Sequence, residues 1–401
     1  MKKQIISLVA IAITFASCEN NDEDTLATLE VPTTYTFERD NQTTVSYSGQ
    51  TNRLLMLDEM GAYIKTQATN GGIVETSTLN NMYANTNGPF LNEDLNSASN
   101  QLKNKTAVSM DYFELFFGDG STTEQFELRT FFENQFTDAN LASNGSNASA
   151  GVAGSYLDGS STRLFAANGL EPQQVILKGL MGAVAMDQMV NNYLSINKLD
   201  GGSNVSDNTN KVLVSGKNYT NMEHFWDEGY GYLYGIDNGT DDYKFWSEYI
   251  RSVNADSDFN TVKADIDRAF IKGRAAIVAN EYSIRDEQID IIKEKLALVN
   301  AVKAVYYLQS GKSKLATDNG AKAFHAISEA YGFIMSLRFS NKPNTDHPYF
   351  SKTEIETMLN DLVSGTNGLW DVDTLEPKLD AISTQIAAPF GFTVEQAAIS
   401  N

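Results

Sequence analysis

Two of the three histidines in this 401-residue chain stand in nearly superimposable surroundings. His224 opens HFWDEGYGYL and His325 opens HAISEAYGFI, so each has Glu at +4, Tyr at +6, Gly at +7, an aromatic at +8 and an aliphatic at +9. A helix brings i, i+4 and i+7 to one face, which places His224, Glu228 and Gly231 in one stripe and His325, Glu329 and Gly332 in another. An imidazole and a carboxylate one turn apart suit two roles. They can ligate a metal, and two such pairs packed about a pseudo-twofold axis would supply four ligands for iron, zinc or copper. They can equally satisfy each other as a structural pair. Glycine inside a helix costs about 1 kcal/mol relative to alanine. Its recurrence at one offset therefore implies close approach by a partner helix or a ligand. Trp226, Tyr230 and Tyr331 accompany these glycines as candidate pocket walls, with core packing as the other reading.

The match between the two segments points to internal duplication. Both follow a helix ending in Tyr-Leu, at Tyr193-Leu194 and Tyr307-Leu308. Helical periodicity is visible at 53–69, 123–136, 259–278, 286–309, 320–339 and 352–363, and segment 171–194 is apolar on nearly every side, as expected at a bundle centre. TYTFERDNQTTVSYS at 34–48 reads as a hairpin turning at Arg39-Asp40-Asn41-Gln42. Stretches 144–160 and 200–210, rich in Gly, Ser and Asn, read as polar surface loops. The expected fold is mainly α, two related helical bundles with a small N-terminal β-hairpin. Residues 31–210 would hold the hairpin and first bundle, and 211–401 the second bundle, with the His224 helix completing the first repeat.

The chain opens MKKQIISLVAIAITFAS, two lysines ahead of an apolar run too short to span a bilayer, which is the layout of an export signal over residues 1–17. Phe15-Ala16-Ser17-Cys18 resembles the lipobox of bacterial lipoproteins, which implies a lipid anchor on Cys18 and the membrane as a partner. The following ENNDEDT makes 18–30 an acidic tether. It resembles the sorting stretch of lipoproteins sent to the outer face of the outer membrane, so an outer-membrane, cell-surface location is expected, with a periplasm-facing one as the alternative. With a single cysteine, neither an intramolecular disulfide nor a multi-cysteine zinc site can form. A net charge of −21 disfavours nucleic-acid phosphates and anionic headgroups as electrostatic partners.

Several catalytic signatures are missing. There is no H-E-x-x-H helix, no G-x-S-x-G elbow and no G-x-G-x-x-G turn. Ser310-Gly311-Lys312-Ser313 lacks the upstream glycine of a phosphate loop, where Tyr306 stands instead. No residue is assigned a catalytic role, and binding is the expected activity.

The helix GAKAFHAISEAYGFI and its counterpart MEHFWDEGYGYLYG resemble the Gly-x-His-x-x-Glu helix of imelysins, iron-regulated bacterial envelope proteins built from two related helical bundles. KGLMGAVAMDQM, MEHFWDEGYGYLYG and IDRAFIKGRAAIV resemble more closely a group of uncharacterised envelope lipoproteins, over most of the chain from Tyr35 onward. His224 and His325 match the motif histidine. The glutamates sit at +4 where the motif has +3, a turn of about 100° around the helix, and Met222 and Ala323 replace its glycine. The resemblance implies binding of iron or another divalent metal, free or as a chelate or haem, for uptake through an envelope transporter, with His224, Glu228, His325 and Glu329 as ligands. A peptidase reading attaches to the same family. A different class, a surface or glycan-binding lipoprotein without metal, would use the aromatic residues and the two polar loops.

Overall fold

The computed structural model describes residues 29–118, 122–237, 243–345 and 347–398. The expected signal segment, Cys18 and all but the last two residues of the acidic tether lie outside the described residues. Within them the protein is mainly α, with two small two-stranded sheets. The helices that frame the two histidines are α1 (Ser48–Asn70), α2 (Thr122–Asn144), α3 (Pro172–Leu180), α4 (Asn221–Tyr234), α5 (Trp246–Asn254), α6 (Val262–Ala279), α7 (Tyr282–Lys312), α8 (Ala321–Leu337) and α9 (Lys352–Leu362).

The apolar positions that predict α1 are its buried ones, Leu54, Leu57, Met60 and Ile64, three and four residues apart. A left-handed Gly71 (φ 64°) ends the helix by returning its N–H to Gln67 and Ala68. In α2, Phe132 and Phe136 face inward while Phe126 of the same rhythm is exposed. Pro172 opens α3, where its missing N–H costs nothing. Residues 172–194 are all buried or half-buried, as their composition requires of a central segment. After Leu180, however, the chain widens into π-helical turns over Met181–Met186 and Met189–Tyr193. Helix α8 is buried along nearly its whole length and packs on α3 and α7. Buried apolar side chains from Leu54 to Ala397 join a single hydrophobic cluster, so the two expected bundles share one core.

The first hairpin forms where the sequence places it, with Glu38–Arg39 (β1) paired to Gln42–Thr43 (β2). Asp40 and Asn41 both have positive φ, 54° and 61°, the turn geometry whose twist matches the flanking strands. The second hairpin corrects the expectation of a polar loop at 144–160. Gly154–Asp158 (β3) pairs antiparallel with Ser161–Phe165 (β4), and Phe165 seats its ring edge-on against Phe324 of α8 at 5.7 Å. Region 200–210 likewise contains a short helix, Asn204–Thr209. It is held by Asn208, whose buried amide donates to the Ile277 carbonyl at 2.7 Å. None of the helices among the described residues is long and apolar enough to cross a membrane.

A buried ionic clamp fixes α4. Arg274 of α6, fully buried, donates to Asp227 Oδ1 (2.9 Å), Glu223 Oε1 (3.3 Å) and Thr44 Oγ1 (3.0 Å). Arg39 reaches Glu223 from β1 at 2.8 Å, and the Tyr35 hydroxyl donates to Asp227 at 2.7 Å. The two carboxylates face two guanidiniums, which is the condition for keeping charge out of water.

Candidate functional site

Thr220 caps α4 through a reciprocal box, its hydroxyl accepting from the Glu223 N–H (3.3 Å) while Glu223 accepts from the Thr220 N–H (2.8 Å). This sets the first turn, which carries His224. The imidazole Nε2 lies 3.9 Å from Glu228 Oε2, with the two side chains 27% and 18% exposed. The Tyr219 ring stacks on the imidazole at 4.5 Å, Nδ1 is buried with no hydrogen-bond partner among the described residues, and Gln50 of α1 donates to Glu228 at 2.9 Å. Two lysines border this pair. Burial, with Arg53 and Lys198 nearby, pulls Lys105 down to about 8 against the opposing pull of Glu228. Burial also lowers Lys198, whose ammonium lies 4.5 Å from the Phe225 ring centre. Lys105 donates to the Tyr193 hydroxyl at 3.1 Å.

The second pair is built alike. His325 Nε2 lies 3.5 Å from Glu329 Oε2, with the side chains 25% and 10% exposed. Its Nδ1 sits between Glu171 Oε2 (2.6 Å) and Arg163 Nη1 (2.8 Å). Lys178 Nζ is 3.5 Å from Glu329 Oε1. Burial, with Lys178 nearby, lowers Lys303 to about 8, opposed by Glu329 and Glu248. Lys303 sits over the rings of Tyr306 (4.1 Å) and Tyr307 (4.8 Å). In both places the tyrosine of the Tyr-Leu pair packs on the +8 aromatic, Tyr193 on Tyr232 at 6.0 Å and Tyr307 on Phe333 at 5.6 Å.

The structure joins each histidine to its own glutamate but does not bring the four residues to one point. Helix α4 packs against α1, α6 and the turn 189–193, whereas α8 packs against α3, α7 and α9. Among the described residues no three of His, Cys, Asp and Glu converge to hold a metal, so the expected four-ligand site is corrected to two separate pairs. The glycines explain why. A Cβ on Gly231 would lie 2.4 Å from Cβ of Tyr47 at the start of α1, and one on Gly332 would lie 2.4 Å from Cβ of Lys178 in α3. Each glycine face is therefore closed by its own crossing helix, and neither is a pocket wall. Trp226 is also corrected to core: it is fully buried, its indole N–H donates to the Phe270 carbonyl (3.0 Å), and its ring fills the space above Gly273. Tyr230 does line a cleft, of about 410 Å³, and Tyr331 lines a groove of about 350 Å³ between α2 and α9, with Arg338 and Lys352 sharing Glu124 at its rim. The residues that sequence reasoning misses are the lysines and Glu171. The one usable signal is Lys303, four residues before Tyr307 and so on its helical face.

Fold and site together define a mainly α-helical protein in which two helices each present a half-open imidazole–carboxylate pair bordered by half-buried or buried lysines. The chain belongs to the family of the domain of unknown function DUF4856, whose model matches residues 32–393. No curated protein and no solved structure matches it.

Proposed function

We propose that this protein is a lipid-anchored binding protein of the bacterial envelope that captures a metal, iron foremost, as an anionic chelate and delivers it to an envelope transporter. The observation that carries this reading is the pair of lysines beside each His–Glu pair. A bare divalent ion would meet one imidazole and one carboxylate at His224, or at His325 one imidazole with Glu329, Glu171 there being already bonded to Nδ1 (2.6 Å) and 3.6 Å from Arg163, with ammonium groups for neighbours in both places, a poor environment for a cation. A chelate brings its own oxygen ligands and excess negative charge, so the lysines become attractive, and the imidazole or carboxylate need complete only one coordination position. The likeness to imelysins points to iron, and the segment ending at Cys18 supports display on the outer membrane. An internal duplication would account for two equivalent places, and the acidic body argues against nucleic acid as a partner.

The test is calorimetric titration of the mature chain with ferric citrate and, separately, with manganese(II) as a bare cation. Ferric citrate should bind, and the double variant His224→Ala, His325→Ala should weaken it by about tenfold or more, with manganese(II) far weaker in both. Equal ferric citrate affinity in the native chain and the double variant would overturn the proposal.

A further inference from the structure

The cleft beside Tyr230 is built unlike either His–Glu pair. Four separate segments contribute tyrosines to it. Tyr230 and Tyr234 come from α4, Tyr35 from the N-terminal segment, Tyr47 from the start of α1, and Tyr243 from the stretch before α5. All five are half-buried, and among the described residues neither phenylalanine nor tryptophan lines the space. Tyr35 and Tyr230 stack face to face at 3.6 Å, and Tyr234 continues the aromatic wall 5.1 Å from Tyr230. Elsewhere in the lining the Arg251 guanidinium lies 3.5 Å above the Tyr243 ring.

Among the described residues the charges lining the cleft balance, Asp237 and Asp267 against Arg251 and Lys263. They are also oriented in advance: Asp267 accepts from both the Tyr234 hydroxyl and Lys263, and Asp237 accepts from Ser247 at 2.8 Å. Burial raises Tyr230 and Tyr234 well clear of neutral pH, so both hydroxyls stay protonated. Such a described lining carries no net charge to hold an ion, and too many charges for an acyl chain. It offers aromatic surface for apolar C–H faces next to fixed carboxylate and guanidinium partners for hydroxyl groups. A volume of about 410 Å³ falls within the range of small-molecule sites.

We infer that this cleft is a binding site for a neutral carbohydrate of one or two sugar units, independent of the metal chelate. The test uses the full mature chain in the presence of EDTA, with saturation-transfer NMR and titration over glucose, galactose, mannose, N-acetylglucosamine and their disaccharides. At sugar concentrations on the order of 10 mM a site with Kd about 1 mM is nearly saturated. At least one of these sugars should bind. Tyr243→Ala and Asp267→Asn should each weaken it by about tenfold with unchanged thermal unfolding, whereas His224→Ala, His325→Ala should leave it intact. Failure of every sugar in the panel to bind overturns the inference, and so does binding that survives both cleft variants. Loss of ferric citrate binding without loss of sugar binding would bear on the chelate reading alone.

Discussion

Asp187 offers the sharpest test of the central packing. It lies between the two π-helical turns, fully buried. Ser109 (2.7 Å) and Asn191 (3.0 Å) donate to its Oδ1, while Oδ2 has no hydrogen-bond partner among the described residues. Burial pushes its carboxyl up to about 7, because the two hydrogen bonds and the charge of Arg338 offset only part of the desolvation and Asp111 adds to it. The folded state therefore holds this proton more tightly than the unfolded chain does. Its stabilising contribution is complete below pH about 4 and is lost as pH rises through about 7. At pH 5, two units below the folded value, about 2 units at 1.4 kcal/mol each give roughly 3 kcal/mol; at pH 8 almost nothing remains. Asp187→Asn removes the titration and keeps an acceptor for Ser109 and Asn191. Urea unfolding of both proteins at pH 5 and pH 8 isolates the effect as a difference of differences. The wild type should lose roughly 3 kcal/mol relative to the variant over that interval, leaving the variant the more stable protein at pH 8. A wild-type-minus-variant stability that stays flat between pH 5 and 8 would mean that Asp187 is already ionised in the fold, and the desolvation argument would fail.

Gly231→Ala and Gly332→Ala should each destabilise the protein by about 1–3 kcal/mol, although alanine is the better helix former by about 1 kcal/mol, because a Cβ 2.4 Å from a neighbouring helix must move that helix. Denaturant midpoints check this, and a gain in stability in either variant would show that the crossing helices are not in close contact there. Lys105 and Lys303, both lowered to about 8, should make ferric citrate affinity pH-dependent. Both are mainly charged at pH 7 and mainly neutral at pH 9.5, so affinity should fall by about tenfold or more over that range. In the double variant Lys105→Met, Lys303→Met the calorimetric profile should be shallower.

The parts of this molecule that the sequence announces are those governed by local geometry. Helical faces follow from three- and four-residue steps, the first hairpin from the Asp40-Asn41 turn, and the two His–Glu contacts from a spacing that a single helix closes unaided. What the sequence conceals depends on partners distant in the chain. The glycines announce a close approach without saying whether a helix or a ligand makes it, and only the packing of α1 on Gly231 and α3 on Gly332 decides. Residues 154–160 look like a loop because the strand they carry is held by pairing to 161–165, whose Phe165 is buried against Phe324, well over a hundred residues away in the chain. The π-helical turns leave no periodic trace, since residues 172–194 are buried on all sides and no polar face marks where the winding changes. Phe126 fails for another reason: the buried stripe of α2 runs through Glu124, Leu128, Phe132 and Phe136 at four-residue steps, and Phe126, two residues off it, lies on the exposed face.

The lysines change what the recurring motif means. Read alone, two His–Glu turns suggest a cation site, because imidazole and carboxylate are both ligands. Around Glu228, however, stand Lys105, Lys198 and Arg53, and around Glu329 and Glu171 stand Lys178, Lys303 and Arg163. Each place gathers three cationic side chains, although the chain as a whole carries −21, and Glu114 near Lys198, Glu248 near Lys303 and Asp158 on Arg163 (3.0 Å) answer part of that charge. An acidic body repels anions from nearly every approach, so the two places where lysines gather would be its least repulsive points for an anion, and their attraction is sharpened by partial burial, where screening by water and salt is weak. A free divalent ion would instead be drawn to the acidic surface and held off from these places. Under the proposed function these lysines would favour a metal already wrapped in carboxylates, and raising salt should weaken capture of such a chelate less steeply than it would at an exposed lysine cluster.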